Sequence, residues 1–134
     1  MSEQDNTATV KEIYDAVGRG DLAAILDRVS DDVDWAAEAA GKTAPWHGQR
    51  TGRDGVASFF ADIAAGVEIV AFTPHSFAAG QGDVHLLVDW TIRPVGTGRE
   101  VSMTMHHYWR LRDGKVTYFR GSEDTELTAQ AFGA

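Results

Sequence analysis

From Gly66 onward the chain abandons helical spacing and alternates apolar with polar residues, punctuated by turn residues at Gly80 to Asp83, Pro94 to Gly98 and Asp113-Gly114. This pattern, from about Val67 to Asp124, predicts a four-stranded antiparallel meander. Asp113-Gly114 is a strong two-residue hairpin turn, so Arg112 is expected opposite Lys115, Leu111 opposite Val116, Trp109 opposite Tyr118 and His107 opposite Arg120. On the preceding hairpin, opposing Arg93 to Glu100 pairs unlike charges. The same register sets Ile92 against Val101, Trp90 against Met103, Val88 against Met105 and Leu86 against His107. The two registers give one apolar face, in which His107 and Arg120 are the polar members. His85, Leu87, Asp89, His106, Tyr108, Arg110 and Phe119 fall on the other face. The facing of His75 and Phe77 depends on the length of the Gly80 to Asp83 loop, because a one-residue change inverts a strand.

A buried imidazole needs a hydrogen-bonding partner, and burial beside a positive charge favours its neutral form, which a general base requires near pH 7. His107 is therefore the first candidate for chemistry, with a satisfied core histidine as the alternative. An inward Arg120 cannot lose its charge and needs a carboxylate, a wet cavity or an anionic ligand. Asp124, four residues on, is the nearest candidate carboxylate, which makes a structural Arg-Asp latch the competing reading. Tyr14 lies on an apolar helical stripe from which a phenol could donate into a cavity. Trp35, Trp46, Phe59, Trp90, Met105, Trp109 and Tyr118 supply the apolar surface for pocket walls, or equally for ordinary packing.

The first half of the chain reads as helical. Val10, Ile13, Tyr14 and Val17 recur at helical spacing, with a capping box expected at Thr9 and Glu12 and a stop at Gly18 and Gly20. Asp21 can cap a short second helix carrying Leu22, Ile25, Leu26 and Val29. A turn at Ser30-Asp31-Asp32 leads to a brief strand from Val33 to Ala37, and a loop covers Glu38 to Pro45, before Trp46 and His47. Thr51 or Asp54 opens a third helix with Val56, Phe59, Phe60, Ile63 and Val67 on one side. Helices first and a meander afterwards define an α+β domain with the helices on one face of the sheet.

At 134 residues the chain suits a single domain. It has no cysteine, which removes thiol nucleophiles and thiolate metal sites, and with the polar start of the chain it suggests a cytoplasmic protein. A net charge of −8 with scattered Lys and Arg argues against a nucleic-acid or anionic-membrane surface. His106 and His107, adjacent in a strand, point to opposite faces and cannot share a metal, so no metal site is expected; the glycines form no phosphate loop. Leu87, Tyr108 and Phe119 on the outer face suggest that a second copy of the chain covers it.

Ile13-Tyr14-Asp15-Ala16, Gly20-Asp21-Leu22 and Ser30-Asp31-Asp32-Val33-Asp34-Trp35 resemble the opening of the SnoaL-like, ketosteroid-isomerase-related branch of the nuclear-transport-factor-2-like superfamily. Trp46-His47-Gly48, Thr51-Gly52-Arg53-Asp54-Gly55-Val56, Phe59-Phe60, His107-Tyr108-Trp109-Arg110, Asp113-Gly114-Lys115-Val116, Phe119-Arg120 and Asp124-Thr125 follow in the family's order. The resemblance spans about Val10 to Thr125. It implies a cystatin-like cone of three helices wrapped by a curved sheet, a hydrophobic pocket inside, and homodimers formed through the sheet. Steroid isomerases of the family use a tyrosine on the first helix, an aspartate base on the first strand and a second acid in the sheet. Tyr14 falls close to the first, but the base position falls on Ala37 and the second acid on His107, so the isomerase's base is absent.

Two functions follow. One is a cofactor-free isomerase, cyclase or dehydratase acting on a small apolar carbonyl or polycyclic compound. In it His107 is the base, Tyr14 the donor to the oxyanion, Arg120 the electrostatic partner, and Asp124 stands with the aromatic residues around the substrate. The other is a non-catalytic ligand-binding or dimerisation module, favoured by the missing carboxylate at Ala37. A cavity open through the Glu38 to Pro45 loop would favour an enzyme or binder, and a filled cone an assembly role.

Overall fold

The computed structural model describes residues 2–133, arranged as helices packed on a curved, open six-stranded sheet. Helix α1 (Glu3–Arg19) begins earlier than its apolar stripe, because Ser2 and Asp5 form the capping box expected at Thr9 and Glu12. It stops at Gly20, whose left-handed φ of 67° closes the last turn without a Cβ penalty. Asp21 caps the short α2 (Leu22–Leu26) through Ala24 N–H at 3.1 Å, as its sequence predicts. Helix α3 (Gly52–Gly66) lays Val56 and Phe59 against the core.

The strands are β1 (Val29–Glu38), β2 (Gly48–Thr51), β3 (Val67–Ala79), β4 (Asp83–Pro94), β5 (Val101–Arg112) and β6 (Lys115–Ser122), in the spatial order β2-β1-β6-β5-β4-β3. Every neighbouring pair is antiparallel except β1 with β6, which is parallel. The expected turn at Ser30-Asp31-Asp32 is absorbed into β1, where the register with β6 slips between Val29 and Asp34. The short β2 and a C-terminal helix α4 (Thr125–Ala131) were not expected from the sequence. No helix of the described residues is long and apolar enough to cross a membrane.

The hairpin of β4 and β5 keeps the expected register, with Leu86 opposite His107, Trp90 opposite Met103 and Ile92 opposite Val101. The hairpin of β5 and β6 keeps it for two pairs only. Asp113 and Gly114 both take positive φ, 51° and 78°, as a right-twisting two-residue turn needs, and Arg112–Lys115 and Leu111–Val116 pair as expected. Thr117 is then an extra residue, so Arg110 faces Tyr118, Trp109 faces Phe119, Tyr108 faces Arg120 and His107 faces Gly121. This one-residue bulge inverts the rest of β6. Phe119 turns into the core, 3% exposed, while Tyr118 and Arg120 turn to the outer face, against expectation.

A second bulge resolves the open question on β3. The ladder with β4 shifts between His75 and Ala78, around Ser76 at φ 59°, so neither simple register holds. Phe77 packs inward, its ring centroid 6.4 Å from that of Tyr14, and His75 points outward to Asp89 at 3.1 Å.

Candidate functional site in the cone

The concave face of the sheet and helices α1 and α3 enclose a cavity whose lining is almost wholly apolar. It offers about 80 Å³ to the centres of water-sized molecules and about 670 Å³ of empty space when its mouth is counted. All four tryptophans of the chain, Trp35, Trp46, Trp90 and Trp109, line it. Phe59 and Met105 do too, as the sequence suggested, whereas Tyr118 and Asp124 do not. Asp124 instead caps α4 through Leu127 N–H at 3.0 Å. Of the lining residues, Ile69 is exposed and Val17, Phe60, Ile63 and Phe72 are half-buried. The mouth therefore opens between the end of α1, α3 and β3, and not through the Glu38 to Pro45 loop, none of whose residues lines the cavity.

The hydrogen-bonded polar groups of the lining fall in two places. The first is a chain of three side chains from α1 and β5. Trp109 Nε1–H donates to the Tyr14 hydroxyl at 3.0 Å, and that hydroxyl is hydrogen-bonded to His107 Nδ1. With the indole donating to the phenol oxygen, the arrangement in which the phenol donates to Nδ1 and His107 carries its hydrogen on Nε2 satisfies all three groups. Burial among Phe119, Trp109 and Tyr14 pushes the His107 pKa down to about 3, against a smaller upward pull from the charge of Glu123. Burial likewise drives the Tyr14 hydroxyl well above its ordinary value, with the Trp109 donor opposing. Both are neutral at pH 7.

Tyr14 engages Nδ1 of His107, so the phenol and the imidazole face the cavity as a joined pair and Nε2 is the ring nitrogen left to a ligand. The Nε2 edge stays uncovered because its cross-strand partner is Gly121, where a Cβ would sit 3.4 Å from Nε2 and 3.2 Å from Phe119 Cζ.

Arg120 is removed from the cavity by the β6 bulge. Its guanidinium pairs with Asp34 Oδ1 at 2.9 Å, donates to the Phe119 carbonyl at 2.9 Å and lies 4.1 Å over the Tyr118 ring. The expected partner, Asp124, is not used.

The second polar place is one the sequence reading did not find. Glu123, just past β6, is the only acid among the described residues of the lining, and its side chain is 3% exposed. Trp46 Nε1–H donates to Oε1 at 2.9 Å, and the Thr128 hydroxyl of α4 donates to Oε2. His47 Nε2 lies 3.1 Å from Oε1, within reach although off the hydrogen-bonding line. Ala44 N–H donates to His47 Nδ1 at 3.3 Å, which leaves the His47 proton on the nitrogen facing the carboxylate. Burial raises the Glu123 carboxyl, but His47, Thr128 and Trp46 together outweigh it and hold the group below its ordinary range. The signal was present as the inward alternation Phe119, Gly121, Glu123, visible only once Thr117 is counted as extra. Among the described residues no three His, Cys, Asp or Glu side chains converge as a metal site would require.

A cone of helices in a curved sheet, with an aromatic cavity and a few buried polar groups, is the architecture of the nuclear-transport-factor-2-like class. Residues 10–119 match the sequence model of the SnoaL-like domain, and the chain belongs to that family. It is similar over 100% of both chains to a nuclear-transport-factor-2-like protein of unknown function from Burkholderia pseudomallei, at 26% identity and a TM-score of 0.89. A nuclear-transport-factor-2-like protein from Burkholderia xenovorans aligns over 99% of both chains at 28% identity and a TM-score of 0.89. TerC, co-crystallized with polyporic acid, shares the fold at 20% identity and a TM-score of 0.86, over 97% of this chain and 99% of its own. No curated protein matches the chain.

Proposed function

We propose that this protein takes a flat, apolar, carbonyl-bearing small molecule into the cone and promotes proton transfer on it without a cofactor, in an isomerisation, cyclisation or dehydration. The observation that carries this reading is a neutral histidine held through Nδ1 by Tyr14 and Trp109 on a wall of aromatic rings; with the phenol proton on Nδ1, its Nε2–H is the donor offered to a ligand. In so apolar a cavity, a fixed donor discriminates strongly for a ligand oxygen, because nothing else there satisfies it. It also favours the charge that develops on that oxygen when a neighbouring C–H bond ionises. The buried indole N–H groups of Trp35 and Trp90, which lack acceptors, support a ligand that brings oxygen atoms with it. TerC, a protein of the same fold, is co-crystallized with polyporic acid, an aromatic, oxygenated compound of the class proposed.

The four cavity tryptophans make occupancy directly measurable by fluorescence quenching. 2-Tetralone, a bicyclic ketone, is expected to quench them at lower concentration than tetralin, its counterpart without the carbonyl. His107→Phe should remove the difference by weakening tetralone about tenfold, the worth of one hydrogen bond in an apolar site. Equal quenching by the two compounds in the wild-type protein, or quenching by neither, would refute the reading. Binding of tetralone with no exchange of its α-hydrogens in deuterated water would leave the non-catalytic binding module in its place.

A further inference from the structure

We propose that Glu123 is the group that takes the proton from the ligand, and that His47 is the residue that positions it. The inference rests on the carbonyl-binding reading above and adds the base, which the first strand lacks: Ala37 lines the cavity with no carboxylate to offer. Among the described residues Glu123 is the one carboxylate there, and it follows β6 directly, two residues beyond Gly121, the residue paired with His107. Gly121 presents no side chain between them. A ligand carbonyl on His107 Nε2–H therefore has the carbons beside it directed along the bare glycine toward the acid.

The surroundings of Glu123 suit a base better than a structural anchor alone. A carboxylate offers about four lone-pair positions. Trp46 and His47 address Oε1, Thr128 addresses Oε2, and one position on Oε2 is left unused. Each donor comes from a different backbone position in the Trp46-His47 segment and α4, so the carboxylate is fixed from two sides and cannot rotate away. The charged and titratable groups around it are His47 behind, His107 across the cavity, and Glu38 and Arg120 in the surface groove that Glu123 also borders.

The step balances as follows. The C–H bond next to the carbonyl breaks, its electron pair forms a C=C bond, and the carbonyl π pair moves to oxygen, where His107 Nε2–H stabilises the enolate. The proton binds Glu123 Oε2. It returns to a different carbon in an isomerisation, or to a departing hydroxyl in a dehydration. The hydrogen bonds that keep Glu123 ionised also weaken it as a base, so the ligand must carry a C–H more acidic than that of a simple ketone. The benzylic position of 2-tetralone meets that need.

The test follows exchange of the tetralone α-hydrogens for deuterium by NMR, alongside tryptophan quenching. Glu123→Gln can keep its oxygen toward Trp46 and His47 and turn its amide to Thr128, so the fold is retained. It should bind tetralone within threefold of wild type and exchange it at least 100-fold more slowly. His47→Phe should keep binding and move the acid limb of the exchange rate to higher pH, because a carboxylate that loses a donor protonates more readily. Exchange by Glu123→Gln within threefold of wild type, or an acid limb unmoved in His47→Phe, would overturn the assignment while leaving carbonyl binding intact. Failure of tetralone to quench the wild-type protein would instead remove the functional reading and the base with it.

Discussion

The neutral, buried His107 makes the fold sensitive to mild acid, and the size of the effect follows from its surroundings. The free imidazole ionises near 6.5, and burial brings the folded value down to about 3. Between those two values the unfolded chain binds a proton that the folded chain refuses. Stability is therefore fully present above about 6.5 and is lost as the pH falls toward 3. At pH 5 the loss is about 1.5 × 1.36, or roughly 2 kcal/mol, and this is an upper figure because His107 keeps some exposed surface. For a domain of this length that corresponds to a melting temperature lower by roughly 6–10 °C. Urea denaturation at pH 7.5 and pH 5.0, on wild type and His107→Phe, isolates the term. The variant leaves the Tyr14 hydroxyl without its acceptor at both pH values, so it is weaker throughout but loses less on acidification. The window stays above pH 5, where Glu123, held below its ordinary 4.5, does not yet titrate. Equal losses in the two proteins, within about 0.5 kcal/mol, would show that His107 protonates freely in the folded state.

Four other outcomes are expected. Tyr14→Phe strands the Trp109 N–H and His107 Nδ1, costing about 2–4 kcal/mol in denaturant titration, and it should weaken tetralone binding without abolishing it. Arg120→Ala removes a partly exposed pair with Asp34, worth about 1 kcal/mol, and should leave tryptophan quenching unchanged; lost quenching would place the guanidinium back in the site. Gly121→Ala brings a methyl within 3.4 Å of His107 Nε2 and 3.2 Å of Phe119, and should weaken tetralone more than tetralin. Sedimentation at micromolar concentration should give a dimer through the outer sheet face, dissociated by Tyr108→Lys, and a wild-type monomer would rule that interface out.

What was legible in the sequence depended on how far each signal reaches. The Asp113-Gly114 turn and the Arg93–Glu100 pair, joined at 3.0 Å, set local geometry, and the strands beside them follow it. Ser2, Gly20 and Asp21 act within one helical turn, although Thr9 and Glu12 carry the same capping signal as Ser2 and Asp5. The bulge at Thr117 has no such marker. Thr117 is an ordinary strand residue, and the strand it interrupts is seated beside β1 in the parallel pairing. That pairing joins residues more than eighty apart, beyond the reach of periodicity. The misplacement of Tyr118 and Arg120, the exchange of Asp34 for Asp124 as the arginine's partner, and the oversight of Glu123 all trace to this one residue. His107, Tyr14 and the tryptophans survived because they lie on α1, β1, β4, β5 and the segment before β2, which the bulge does not touch.

Thr117 also gives the last strand two possible vocabularies. With it outside the ladder, the cavity reads phenyl, bare backbone and carboxylate, from Phe119, Gly121 and Glu123. Paired within the ladder, it would turn the same letters over and present a phenol and a guanidinium, from Tyr118 and Arg120, with the acid facing water. A family member of equal hairpin length without the bulge would therefore hold a cationic pocket where this chain holds an acidic one, whereas one lacking the residue altogether would keep the acid inside. Aligned sequence alone would conceal the exchange.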